Sequence, residues 1–274
     1  MRAFRAEWVK LSRRNLWLGF GGAMVGLTAL FTVLVFMSVG GTDVGLDEGG
    51  GEAFVTEAAL SLPDGSMFAV TQMAIFLAII ALALFASNLA GEFTKGTIRM
   101  LFVTEPNRLK VLAGKLAALC SFVALWIAVT VALTVAAGAL LASNAGVDTS
   151  AWWTTDGLAA IGSGYLNLTG AALVAGLIGS ALAVLTRSAA IAISVGAAYF
   201  MLGESMVSTF WSPLGEWGPA AVSNALATGA AAGTSLGAVR PDIGFTTAAL
   251  LAVGYGLACL AVSATTLARR DVTS

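Results

Sequence analysis

The sequence contains no histidine. That removes imidazole acid–base catalysis, His-bearing triads, His-ligated metal sites and bis-His haem in one step. Charge is scarce as well. Only 11% of the 274 residues are Asp, Glu, Lys or Arg, against roughly 25% in an ordinary soluble domain. Apolar residues make up 58%, and mean hydropathy is +0.89. No soluble fold of this length hides so much apolar side chain, so a soluble enzyme and a disordered chain are both excluded. The two cysteines, Cys120 and Cys259, fall inside separate apolar runs, where a thiol acts as a small packing residue. No metal-binding spacing exists. There is no G-x-x-x-x-G-K-[ST] loop and no G-x-G-x-x-G after a strand, so the chain is not a conventional nucleotide hydrolase. No apolar run holds a Lys or Asp, which removes Ser–Lys and paired-Asp proteolysis within the membrane. A net charge of −1 offers nothing to a polyanion, so no nucleic-acid partner is expected.

What remains is an all-α integral membrane protein. A crossing helix needs about 20 mostly apolar residues. Six stretches qualify, giving spans at about 15–39, 67–91, 116–142, 158–186, 188–210 and 243–267. The first is too long for the apolar core of a signal peptide and reads as a retained helix. The uncharged stretch Trp217–Val239 is poor in large aliphatics and holds Pro219 and several glycines. It reads as short or re-entrant helices within an external segment, 211–242, which is tolerated at membrane depth only under protein or water.

Charge supports this count. With six spans, one side of the membrane receives 13 of the 14 basic residues and the other receives 11 of the 15 acids. The positive-inside rule then places both termini in the cytoplasm. Trp17 falls at the inner edge, and Trp152, Trp153, Trp211 and Trp217 fall at outer edges, as an aromatic belt would. The acidic external loop 40–65 reads as solvated chain.

Residues 1–14 precede the first span. Phe4, Trp8 and Leu11 recur at i, i+4 and i+7, with basic residues elsewhere. This is an amphipathic helix for the inner membrane surface, or simply a topology anchor. The cytoplasmic loop 92–115 is longer than a hairpin needs. Gly96 breaks the preceding helix, Thr97–Val103 forms a short one, and Pro106 starts the next. Its aromatics favour a docking surface over an ordinary positive loop. Gly22-x-x-x-Gly26 and Ala171-x-x-x-Ala175 with Gly176 offer close helix packing. Glu204 is the one ionisable group within a span, and either hydration near the outer interface or a place in a pathway explains it.

These pieces resemble the permease subunits of ATP-binding-cassette exporters of the type-2 permease family. The likeness rests on Glu7-Trp8-x-Lys10-Leu11, on Glu92-Phe93-x-x-Gly96-Thr97-Ile98-Arg99 with Pro106-x-Arg108 and Lys115, and on Leu185-Thr186-Arg187-Ser188. The Arg269-Arg270-Asp271 ending adds to it. It implies a six-helix transmembrane domain over 15–268 with a cytoplasmic tail, 269–274, in a bacterial plasma membrane. The chain would not be catalytic by itself. A separate ATPase subunit would bind ATP and Mg and dock on the loop through Glu92, Phe93, Lys95, Gly96, Thr97, Ile98, Arg99 and Phe102. Phe4, Trp8 and Leu11 would form the interfacial helix. Two permease chains, alike or different, would pair. Cargo would pass between second and fifth spans, past Gln72, Met73, Phe76, Tyr199 and Glu204. A path so short of fixed charge implies a hydrophobic or amphipathic cargo, such as a drug, antibiotic or lipid. The other class of function is a non-transporting scaffold or immunity protein that binds a cytoplasmic partner through 92–115.

Overall fold

The computed structural model describes residues 2–39, 55–94, 108–229 and 243–269. Every regular element among them is helical. Six helices are long and apolar enough to cross a membrane: Arg14–Ser38, Ala74–Glu92, Leu109–Ala145, Thr155–Thr186, Ala189–Ser208 and Phe245–Thr266. The chain is a multi-pass membrane protein.

Helix α1, Arg2–Leu11, leads through a two-residue turn into α2, Arg14–Ser38. Short helices α3, Glu57–Leu60, and α4, Phe68–Gln72, come before the second span, α5, Ala74–Thr94. The third and fourth spans are α6, Arg108–Ala145, and α7, Thr155–Thr186. The fifth is composite. α8, Ala189–Ala198, passes through a π turn, Tyr199–Gly203, into α9, Glu204–Ser208. Two short helices follow, α10, Ser212–Trp217, and α11, Pro219–Ala227. The last span is α12, Phe245–Arg269.

α7 is the central helix. Its apolar window is 61% buried, whereas that of the last span is 17% buried. It packs most extensively on α5, then on α12 and α11. Small residues make that possible. A β-carbon on Gly179 would lie 2.5 Å from the Leu82 carbonyl oxygen, and one on Gly176 would lie 2.8 Å from the Phe85 ring. Leu82 also fills the notch at Gly196 of α8. Two knobs on α5 thus sit in glycine-lined notches, the close contact that drives helix association where lipid is as apolar as leucine. Ala171, Ala175 and Gly176 are all buried, as their spacing implied. The Gly22/Gly26 pair differs: neither has a neighbour within 4 Å of a β-carbon. In α2 the close-packing residue is Gly21, which faces the Trp126 ring.

Of three further expectations, one lies close to the structure and two need correction. α6 begins at Arg108, close to the start expected at Pro106, so Lys115 already lies in its second turn. Helical hydrogen bonding does not stop at a membrane surface, and lysine and arginine propagate helices well. Part of the loop expected to be solvated is packed. Thr56 caps α3 by accepting from the Ala59 N–H, and Val55 and Leu60 are buried with Val35, Phe36 and Val147. Their centre is Trp152, which is 0% exposed and donates its indole N–H to the Leu60 carbonyl at 2.8 Å. Trp152 is therefore a core residue and not part of the belt, while its neighbour Trp153 is exposed. α6 ends beside it, with Gly146 at φ 72° and the Val147 N–H returning to the Ala142 carbonyl. That left-handed ending suits glycine.

Candidate functional site

Two polar constellations stand out in this apolar molecule. The first joins α1 to the helix ends that carry the 95–107 segment. Lys115 Nζ lies 2.5 Å from Glu92 Oε1 and 3.4 Å from Glu7 Oε2. Lys10 Nζ lies 2.6 Å from Glu7 Oε1 and 3.4 Å from Glu92 Oε1. The Lys115 side chain is 4% exposed and Glu7 7%, but Lys10 is 45% exposed. Two carboxylates and two ammonium groups alternate, so each charge faces opposite ones. Burial alone would lower the Lys10 pKa, but the hydrogen bond and charge of Glu7, with Glu92 behind it, hold it above its usual value.

Packing fixes the geometry. α1 turns Phe4, Trp8 and Leu11 inward. Trp8 stacks on Phe4 and meets the buried Phe122 edge-on, and Leu11 is fully buried. Phe20 and Trp17 of α2 close on the same Phe122 ring. The apolar face expected at the membrane surface is thus turned onto α6. The face left exposed carries Arg5, Val9 and Lys10.

The second constellation surrounds Glu204. This carboxylate is 1% exposed, so the hydration reading is overturned. Its Oε2 accepts from the Ala220 N–H at 2.8 Å and its Oε1 from the Ala221 N–H at 2.5 Å. These are the first free amides of α11, since Pro219 has none and the capping position is Gly218. Glu204 thus caps a helix 15 residues further along the chain. Seven of the nine residues of that helix are buried. A β-carbon on Gly218 would fall 2.4 Å from the carboxylate carbon, so only glycine leaves room. Tyr199 interacts with the same carboxylate, and Tyr255 donates to the Trp217 carbonyl at 2.6 Å.

The expected site residues divide accordingly. Glu92 sits in the ion-pair cluster, and Phe93 is in the last turn of α5. Lys95, Gly96, Thr97, Ile98, Arg99 and Phe102 lie outside the described residues, as does the helix expected at Thr97–Val103. Gln72 and Met73 are buried where α4 breaks into α5. Met73 and Phe76 join the main core cluster, whereas Tyr199 joins another, around Leu82 and Phe200. The structure brings Tyr199 to Glu204. Sequence reasoning missed Lys10 and Lys115 as partners of Glu92, and Glu7 as the carboxylate that shares both lysines with it. A signal existed: Glu7 falls on the Phe4–Trp8–Leu11 stripe. Among the described residues no three or more Asp, Glu and Cys side chains converge as metal ligands would.

A profile described as protein of unknown function, DUF2705, matches residues 30–273. The chain belongs to the DUF2705 family. The match takes in all six spans except the first part of α2, together with Glu204 and Lys115, and it excludes α1. No curated protein matches the sequence.

Proposed function

We propose that this chain is the membrane-spanning permease subunit of an ATP-driven exporter, energised by a separate ATPase subunit that docks on the 95–107 segment. The observation that carries the reading is the buried ion-pair cluster at the base of that segment. Glu92 and Lys115 clamp its two helical ends together, and Glu7 and Lys10 bind α1 to both. A push on the segment would be delivered to α1, α5 and α6 as one body, because breaking any buried pair leaves a charge uncompensated. Helix α5 is seated directly on the central α7, so the displacement would reach the middle of the bundle. ATP would bias inward and outward states only through contacts that differ between them.

In this reading both ends of the chain face the cytoplasm of a bacterial cell, and the short helices α10 and α11 enter the membrane from outside. A second permease chain completes the path, and the cargo is hydrophobic or amphipathic. Glu92 is committed to contacts within the chain, so docking falls to Lys95, Ile98, Arg99 and Phe102. The test is purification of the tagged chain from its native membranes in mild detergent, with partners identified by mass spectrometry. A co-purifying ATPase subunit, lost when 95–103 is deleted, supports the proposal. Isolation without any ATPase, repeated after cross-linking, moves the assignment to a scaffold or immunity protein.

A further inference from the structure

The π turn at Tyr199–Gly203 and the Glu204 carboxylate are consecutive, and each is unusual for a membrane helix. In the π turn the Glu204 N–H bonds to the Tyr199 carbonyl, five residues back. Such a turn holds one residue more than the α turn it replaces, and it recurs at functional sites. In a regular helix each residue adds about 100° of rotation and about 1.5 Å of rise. Absorbing the extra residue would therefore turn Glu204 through roughly 100°, away from the α11 amides. The outer side of the turn is free for this, since Met201 and Leu202 are exposed.

We propose that the π turn and Glu204 form a two-position latch on α11. In the π register the carboxylate caps α11 and holds it seated. In the α register the carboxylate withdraws, the Ala220 and Ala221 amides lose their partners, and α11 is released from α5 and the fifth span. Both carboxylate oxygens already accept amide hydrogen bonds, so the site is built to hold a helix and not a cation. The structure is the seated state. Between α5, the π turn and α11 there is a cavity of only about 10 Å³, lined by Ala74, Ile75, Ala78, Phe200, Ala220 and Ser223. That is room for about one water and for no cargo. Release of α11 would widen this seam between second and fifth spans. Its use as an exit for cargo rests on the export reading, but the latch itself does not.

The test needs no ATPase. The full chain with Cys120→Ala and Cys259→Ala carries one reporter, Ser223→Cys, a buried position on α11. It is reconstituted in nanodiscs, which leave both membrane faces open, and labelled with a charged maleimide. Glu204→Gln keeps the size and loses the charge-assisted hydrogen bonds, and labelling is expected to accelerate on the order of tenfold or more. Deletion of Leu202 removes the extra residue while leaving Glu204 seated, and labelling is expected to fall below the parent rate. Equal rates in the parent and Glu204→Gln overturn the latch, as does faster labelling after the deletion. If the deletion does not fold, hydrogen exchange of the Ala220–Ala221 amides decides. Faster exchange in Glu204→Gln is expected, and unchanged exchange overturns the proposal. Failure of transport with a normal labelling pattern counts against the export reading alone.

Discussion

Lys115 is the member of the ion-pair cluster whose loss matters most. It is buried and lies between two carboxylates, at 2.5 Å from Glu92 and 3.4 Å from Glu7. Replacing it with Met keeps the aliphatic volume but leaves Glu92 and Glu7 facing each other, with only the half-exposed Lys10 between them. Removing one partner of a buried pair costs about 3–5 kcal/mol. An exposed pair is worth about 0–1 kcal/mol, the scale expected for Lys10→Met. For a chain of this size, about 2–4 °C accompanies each kcal/mol, so Lys115→Met lowers the unfolding midpoint by about 10 °C. The assay is thermal unfolding of the purified chain in detergent, followed by tryptophan fluorescence, since Trp8 and Trp17 both pack on Phe122 of α6, the helix that carries Lys115. The double variant Glu92→Met/Lys115→Met removes both charges and leaves the Glu7–Lys10 pair at 2.6 Å. It is expected to be more stable than Lys115→Met alone, with a coupling of about 1–3 kcal/mol. A Lys115→Met midpoint no lower than that of Lys10→Met would refute the reasoning, as would a double variant less stable than the single.

Other outcomes follow from the packing. Gly179→Ala drives a β-carbon toward the Leu82 backbone carbonyl and is expected to destabilise by about 1–3 kcal/mol, whereas Gly22→Ala meets open space and gains about 0.5–1 kcal/mol. Paired thermal unfolding curves separate the two. Trp152→Phe keeps most of the ring but strands the buried Leu60 carbonyl, a loss of about 1–3 kcal/mol, and proteolysis of the α3 region is the local readout. Folding raises the Lys10 pKa above 10.5. Its stabilising contribution is therefore complete below that pH and is lost as pH rises through the higher folded value, which a midpoint-against-pH series in Lys10→Met and the parent would show.

The spans were legible because length and hydropathy alone decide them, and the structure has all six. Which face of each span meets protein was not legible. Lipid and protein interiors are equally apolar, so Gly21 and Gly22 cannot be told apart until the position of Trp126 is known. Trp152 and Trp153 pose the same problem. A pair of adjacent tryptophans near an interface suits a belt, and only the Leu60 carbonyl reveals that one of them is core. The ion-pair cluster was half legible. Glu92 stood out as part of a motif, but its partners lie 23 and 82 residues away in the chain, at Lys115 and Lys10. Glu204 was recognised as exceptional for its charge, while its role as a cap for α11 depends on a chain reversal that no local pattern encodes.

What touches the 95–107 segment decides between an ATP-driven permease and a scaffold. A photo-activatable amino acid at Ile98, introduced into the otherwise intact chain and irradiated in native membranes, reports that contact directly. A cross-link to an ATPase subunit bearing a phosphate-binding loop is the expected result. Cross-links confined to proteins without such a loop would contradict it.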